Sequence, residues 1–354
     1  MTRIQLSEEQ ATALAAMRSH ISGKSRRPFV LNGLAGTGKT TVLSAFAKEE
    51  PGAILCTLTG KAASILRRKT MLPACTIHSA FYQLVGETEK KGRKQPVFER
   101  SHTDMELDDH VVLIDECSMI SHEIASDILS TGAKIIACGD PGQLQPVAGK
   151  RYFDWSDFTL QTIHRQALES PIIRQAHAVR AGGDYREDGN DFRVRRREAT
   201  DQDVIDADAI ICHTNRTKDA ANAYARQVRR IVSSAPQAGE PVVCLRNVAE
   251  FGIFNGGIYN LEREFLPGDT EIHLNVDDEL VTIPQVKFAG IKNQLADEQV
   301  RTHFDFGYAM TCHKAQGSEW RNVLLMDEQP RNDTRIEWVY TAITRAADRI
   351  TIVR

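Results

Sequence analysis

The chain has 354 residues, more than one ordinary hydrophobic core, so two to three domains are expected (roughly 100–200 residues each). Hydrophobic residues make up 42% and charged residues 26%, the balance of a folded soluble protein, and the formal net charge of -3 excludes a global positive field. A local basic groove stays open, because basic clusters occur at 90–94, 193–197 and 226–230.

Along the chain, residues 28–32 read as a strand, 33–40 as a loop and 41–50 as a helix. Short apolar runs at 53–57, 111–115 and 134–138 read as further strands, and the pattern returns at 209–212, 323–326 and 349–353. Runs apolar on both faces, separated by helical segments, are the mark of buried parallel strands, and two parallel-sheet domains fit the spacing. Residues 86–109 are polar and basic and read as an insertion, either a flexible loop or a small hairpin. From 241 to 301 the signals become short alternating strands with Gly turns, which predicts a small inserted β-barrel. The seven cysteines form no C-x-x-C pair and no zinc-spaced cluster, which suits a reducing compartment. No apolar run reaches signal-peptide or transmembrane length, so the expected location is cytoplasmic, without a membrane partner.

Gly33-Leu34-Ala35-Gly36-Thr37-Gly38-Lys39-Thr40 matches the phosphate-loop pattern at every fixed position, with an apolar strand before it and a helix after. Glycines let consecutive backbone N–H groups face one centre, a nest for anionic oxygens at a helix N-terminus. Lys39 then supplies charge to the β- and γ-phosphates of ATP or GTP, and the Thr40 hydroxyl is a Mg²⁺ ligand. The run His110-Val111-Val112-Leu113-Ile114-Asp115-Glu116 ends in the carboxylates such a loop needs. Asp115 is the expected second Mg²⁺ ligand, and Glu116 the group that orients and deprotonates the attacking water. Gln143, in Cys138-Gly139-Asp140-Pro141-Gly142-Gln143, follows a strand end, where it can sense the γ-phosphate; taken alone it is a turn with an amide.

With these motifs the chain resembles the superfamily-1 helicases, in particular the RecD-like and Dda-like class that tracks 5′→3′. Leu6-Ser7-Glu8-Glu9-Gln10 looks like the adenine-reading N-terminal motif, with Gln10 as the base contact. The segments beginning at Thr57 (with Thr59 and Lys61) and at Thr76 (with His78) resemble strand-contacting motifs. Gln161-Thr162-Ile163-His164-Arg165-Gln166 is similar to the segment carrying an arginine finger, here Arg165. Thr311-Cys312-His313-Lys314-Ala315-Gln316-Gly317-Ser318-Glu319 resembles the motif that links nucleotide and strand, and Val339-Tyr340-Thr341-Ala342-Ile343-Thr344-Arg345-Ala346 carries a second finger, Arg345.

The resemblance implies an α/β fold: two RecA-like parallel-sheet motor domains, a hairpin insertion in the first and an SH3-like β-barrel insertion in the second. The expected division is 1–158 (pin about 86–109), then 159–240 with 302–354, with 241–301 as the barrel. It implies ATP hydrolysis between the two domains, with both fingers coming from the second. Nucleotide contacts are expected from Gln10, Gly36, Thr37, Gly38, Lys39, Thr40, Thr41, Gly317 and Glu319. Strand contacts are expected from Thr59, Lys61, Thr76, His78, Asn215, Asn255, Thr311 and His313, with Phe98 as a wedge against the base pair. Such contacts to phosphates are sequence-independent and salt-sensitive. Expected partners are single-stranded and forked DNA, with replication or single-strand-binding proteins as further possibilities, and the chain reads as a self-contained monomer. Two alternatives share the motifs: an RNA or hybrid helicase, and an ATP-dependent nucleic-acid-binding switch that does not unwind.

Overall fold

The computed structural model describes residues 6–90, 93–146, 150–164, 169–248, 251–276, 279–292, 295–296, 299–328 and 334–354, with side chains at 84 and 86–98 outside the description. The chain divides into two compact units, Met1–Ile173 and Arg174–Arg354.

Unit 1 is built on a six-stranded parallel sheet. Its strands are β1 (Phe29–Gly33), β2 (Ile54–Thr57), β3 (Cys75–Thr76), β6 (Val111–Ile114), β7 (Lys134–Gly139) and β8 (Phe158–Leu160), in the order β3-β2-β6-β7-β1-β8. Side chains alternate between two cores. Phe29, Leu31, Leu113, Ile136 and Cys138 pack with helices α1 (Glu8–Ser22) and α2 (Lys39–Glu49) on one face. Val30, Val112, Ile114, Ile135 and Ala137 pack with Ile77, Phe81 and Ile128 on the other. Both faces being covered, these strands read as continuous apolar runs. A two-stranded antiparallel hairpin joins β4 (Tyr82–Lys90) to β5 (Arg93–Arg100), starting earlier and ending sooner than the insertion expected at 86–109.

Unit 2 holds a five-stranded parallel sheet, in the order β17-β10-β18-β19-β9, built from Phe192–Arg195 (β9), Ala209–Cys212 (β10), Ala309–Thr311 (β17), Trp320–Met326 (β18) and Ala346–Val353 (β19). A second sheet is built from Pro241–Cys244 (β11), Ile258–Leu261 (β12), Glu271–Val276 (β13), Glu279–Pro284 (β14), Val286–Phe288 (β15) and Thr302–Phe306 (β16), in the order β14-β13-β12-β11-β16-β15. Its own core holds Val242, Cys244, Leu261, Ile272, Leu274, Ile283 and Phe304. Its pairings are antiparallel except β15–β16. A buried ion pair joins helix Asn215–Val228 to β11 (Pro241–Cys244): Arg226 donates to Glu240 at 2.7 and 3.0 Å, and its guanidinium lies 4.3 Å from the Phe306 ring centroid.

Two expected boundaries are corrected. Residues 302–306 pair with β11 and β15, so the second sheet does not stop at 301. Residues 158–160 pair with β1, so a boundary at 158 would cut a strand of the first sheet. Among the described residues no helix is long and apolar enough to cross a membrane. All seven cysteines are free thiols, and only Cys75 is not fully buried.

Candidate active site

The phosphate loop runs from the end of β1 into α2. Gly36 and Gly38 sit at φ 85° and 80°, in the left-handed region that favours glycine. A Cβ on Gly33 would overlap the Thr37 hydroxyl and meet Leu160 Cβ at 3.2 Å, so only glycine lets the loop fold back on itself. Gly38 caps α2 without a side-chain bond, which leaves the first turn's N–H groups for a ligand or water. Thr41 closes that turn by donating its N–H to Gly38 O at 3.0 Å.

Lys39 Nζ donates to the carbonyls of Gly33 (2.7 Å) and Leu34 (3.1 Å) and lies 3.9 Å from the Asp140 carboxylate. The Thr40 hydroxyl donates to Asp115 Oδ2 at 3.2 Å. Hydroxyl and carboxylate side by side at the head of α2 are the hard oxygen donors that Mg²⁺ prefers, and two protein ligands leave room for water and phosphate oxygens. The donor set therefore fits the metal.

Asp115 is 9% exposed. Burial pushes its carboxyl up from the usual range and the neighbouring Glu116 charge adds to this, while Lys39, the Glu116 N–H and the Thr40 hydroxyl pull it back; the net shift is upward, to about 6. Glu116 takes a left-handed backbone at φ 56° and ψ 44°, a conformation that costs a non-glycine residue about 1–3 kcal/mol and that clusters at functional sites. That turn feeds the short 3₁₀ segment Cys117–Met119, and Gly139 permits it: a Cβ there would overlap Cys117 Sγ.

Gln143 is 4% exposed, and its Oε1 is buried without a hydrogen-bond partner among the described residues. A buried acceptor left open in this way calls for an explanation, and an awaited ligand supplies one. Its backbone is fixed at both ends, by Gln143 N–H to Asp140 O (3.2 Å) and Arg151 Nη2 to Gln143 O (3.0 Å).

Gln10 sits in the first turn of α1, 3% exposed. Its Oε1 accepts from the Ser7 N–H (3.1 Å) while its own N–H donates to Ser7 Oγ (3.3 Å), a capping box. Its Nε2 reaches Thr37 O at 3.4 Å and His164 Nε2 at 2.6 Å. Next to it, Glu9 accepts from the N–H groups of Gln161 (2.7 Å) and Thr162 (2.9 Å). Burial raises the Glu9 carboxyl, but these two backbone bonds outweigh it and the group ends below the ordinary range.

In this way residues 161–164 are strapped to unit 1, and His164 N–H also donates to Gly36 O (3.2 Å). The expectation that this segment belongs to the second domain is corrected by those bonds; Arg165 itself lies outside the described residues. Glu9, His164, Asp140 and Ser118, which brackets Asp140 by bonds of 2.9 and 3.1 Å, are site residues the sequence reading did not assign. Only Asp140 had a signal: an acidic residue after a strand end, as Asp115 is.

The strand-contact candidates of unit 1 are helix starts. Thr59 caps α3 (Gly60–Thr70) through Ala62 N–H at 3.2 Å, and Lys61 lies in the first turn of that helix. Thr76 forms a capping box with Ser79 at α4 (Ile77–Phe81). His78 stacks on Tyr82 with centroids 5.3 Å apart, and burial lowers its pKa. Phe98 lies on β5, its side chain outside the described residues.

In unit 2, Gly317 is left-handed at φ 71°, and Arg345, 6% exposed, binds the loop that follows it. Arg345 donates to Thr341 O (3.0 Å), Ser318 O (3.1 Å) and Thr344 Oγ1 (3.0 Å), so the two sequence motifs expected to meet the nucleotide are joined through one guanidinium. Glu319, the next residue, is exposed. Thr311 starts the short helix Cys312–Ala315 and spends no side-chain bond on capping it. His313, on that helix, has its pKa lowered by burial and by nearby His213. Asn215 begins helix Asn215–Val228, beside Thr214, whose N–H donates to Glu328 at 2.9 Å. Asn255 is placed by its N–H bond to Asn247 Oδ1 (2.7 Å).

A family model described as an AAA domain matches residues 5–193, more than half of the chain. The chain belongs to this family. A second model, the UvrD-like helicase C-terminal domain, matches residues 306–353, where Thr311, Gly317 and Arg345 lie. The two matches cover the segments in which the chain resembles superfamily-1 helicases. The chain is 29% identical to the ATP-dependent RecD2 DNA helicase of Deinococcus radiodurans, over 97% of this chain and 48% of that protein. It is 27% identical to a probable conjugal transfer protein TraA of Sinorhizobium fredii, over 89% of this chain and 29% of that one. The chain thus spans half or less of the length of these curated relatives.

Among solved structures, the Bacteroides Pif1 helicase in complex with ADP-AlF3 and ssDNA superposes with a TM-score of 0.63 at 18% identity, covering 99% of this chain and 92% of that one. Pif1 from Candida albicans gives 0.58 at 18% identity, covering 99% and 95%. At that identity the likeness shows the fold: α/β, with parallel sheets of the RecA-like kind.

Proposed function

We propose that this chain hydrolyses ATP to move 5′→3′ along single-stranded DNA and to separate duplex ahead of it. The observation that carries the proposal is the Thr40 hydroxyl 3.2 Å from the Asp115 carboxylate at the head of α2, with Lys39 and Glu116 beside it. A phosphate cradle, a hard-oxygen metal seat and a carboxylate on a strained turn are what phosphoryl transfer to water requires.

In this reading Gly36, Thr37, Gly38, Lys39, Thr40 and Thr41 hold the triphosphate and Gln10 reads the base. Thr40 and Asp115 hold Mg²⁺, which offsets phosphate charge when bound. Glu116 takes the proton of the attacking water, and Gln143 uses its open Oε1 to orient that water or sense the γ-phosphate. Arg165 and Arg345 stabilise the charge on the transferred group. Gly317 and Glu319 complete the nucleotide contacts.

The strand would be held by Thr59, Lys61, Thr76 and His78 in unit 1 and by Asn215, Asn255, Thr311 and His313 in unit 2. The hairpin Tyr82–Arg100 is the proposed pin, with Phe98 its wedge, and the sheet at Pro241–Phe306 the proposed SH3-like insertion. RecD2 is described as a DNA helicase, and one Pif1 structure as DNA unwinding at forked dsDNA by two coordinating helicases; this supports a DNA substrate.

The test is ATP hydrolysis with and without single strands, followed by unwinding of duplexes carrying a 5′ or a 3′ tail. Strand-stimulated hydrolysis that is lost in Lys39→Ala, with unwinding of the 5′-tailed fork alone, is the expected result. Normal turnover in Lys39→Ala overturns the catalytic assignment, and stimulation without strand separation overturns the helicase.

A further inference from the structure

We propose that His164 is a built-in competitor for the base: its imidazole takes the Gln10 amide, so that a purine using the same amide must displace it. The inference rests on the reading of Gln10 as the base contact and adds a gate to it.

The Gln10 carboxamide is not free to flip. Its Oε1 accepts the Ser7 N–H at 3.1 Å as half of the capping box, and this turns the NH₂ group towards the phosphate loop. That group has two hydrogens and two acceptors. One is Thr37 O at 3.4 Å, part of the loop backbone, and the other is His164 Nε2 at 2.6 Å. Because the amide nitrogen can only donate, His164 Nε2 is the acceptor, which places the imidazole proton on Nδ1. His164 therefore offers Gln10 an sp² ring nitrogen with a lone pair in a five-membered ring. Purine N7 is the same chemical object.

Both donor hydrogens being engaged, a base can bind Gln10 through N7 only by replacing one acceptor. Thr37 O is held by the loop fold; His164 is a side chain on a strap. The pair lies against the phosphate loop, since a Cβ on Gly38 would overlap Gln10 Nε2 and stand 3.1 Å from His164 Nε2. The strap is anchored upstream by Glu9 on the N–H groups of Gln161 and Thr162.

The bond is neutral, and such a bond contributes about 1 kcal/mol net, equivalent to about fivefold in affinity. Dissociation constants of the full chain are measured for ADP, UDP and inorganic tripolyphosphate, in wild type, His164→Phe and His164→Gln. Phenylalanine keeps a planar ring without the lone pair; glutamine restores an acceptor near the same place. The expected result is ADP binding about fivefold tighter in His164→Phe, tripolyphosphate unchanged, and near wild-type ADP affinity in His164→Gln. Equal or weaker ADP binding in His164→Phe, or an equal gain for tripolyphosphate, overturns the proposal.

Gln10→Glu separates the two readings, because it keeps the acceptor for Ser7 and removes the donor. If it leaves the ADP/UDP ratio unchanged, Gln10 is no base contact and the gate falls with that reading. If the ratio collapses while His164→Phe behaves as wild type, only the gate falls.

Discussion

Replacing Glu116 by glutamine is expected to stabilise the fold at alkaline pH while it stops hydrolysis. The reason lies in Asp115, whose carboxyl is raised first by burial and second by the adjacent Glu116 charge, to about 6 from an ordinary 3.8. A raised carboxylate destabilises by linkage in a definite direction. Below about pH 4 the group is protonated in both folded and unfolded chains and costs nothing. As pH rises towards 6 the unfolded chain releases its proton first, and stability falls. Above 6 the cost is complete, and two units at about 1.4 kcal/mol each put it near 3 kcal/mol.

Glutamine keeps the shape of Glu116 and removes its charge, the second of the two raising causes. The expected gain is about 1 kcal/mol at pH 8, with most of it gone at pH 4.5. Urea denaturation of metal-free protein at the two pH values, following the transition of unit 1, measures this. Hydrolysis should fall by about 10²–10⁴, the usual worth of a positioned general base. A variant no more stable than wild type at pH 8, or equally favoured at pH 4.5, refutes the electrostatic argument, and unchanged turnover refutes the role of Glu116.

Arg345→Ala should slow hydrolysis by about a thousandfold or more with ADP affinity nearly unchanged, measured by kcat and equilibrium titration; an unaltered kcat removes the finger. Phe98→Ala should impair fork unwinding more than strand-stimulated hydrolysis, and an equal loss of both rejects the wedge. Arg226→Met leaves Glu240, 2% exposed, with only the Tyr308 hydroxyl (3.1 Å) and the Gln237 N–H (2.7 Å) among the described residues. Stranding a buried carboxylate costs about 3–5 kcal/mol, and the two surviving bonds put the expectation at the lower end; a melting temperature equal to wild type contradicts it.

The phosphate-loop half of the molecule was the more legible in sequence because its motifs are local. Gly33 to Thr40 and Val111 to Glu116 each carry strand, turn and functional group within eight residues, and the structure sets Thr40 against Asp115 as that pattern requires. What escaped was non-local. Strand β9 (Phe192–Arg195) reads as a basic cluster, and it is a strand only because β19 supplies a parallel partner more than 150 residues later. Thr302–Phe306 looked like the return to the parallel sheet, since nothing local says that β11, some 60 residues earlier, will claim it.

The same holds for the side chains that act through others. Glu9 has no pattern that ties it to Gln161, and His164 stood inside a motif whose neighbour, Arg165, drew the attention. Gln10 shows why such residues hide. In sequence, Leu6-Ser7-Glu8-Glu9-Gln10 resembles a base-reading motif, and the structure adds that Ser7 and Gln10 form a helix-capping box. In the structure they are one device: the cap holds Oε1, and by holding it decides which atom of the amide faces the phosphate loop. A local stability element thus sets the polarity of a recognition group, which is why the cap and the proposed base contact have to be changed by different substitutions before either can be measured.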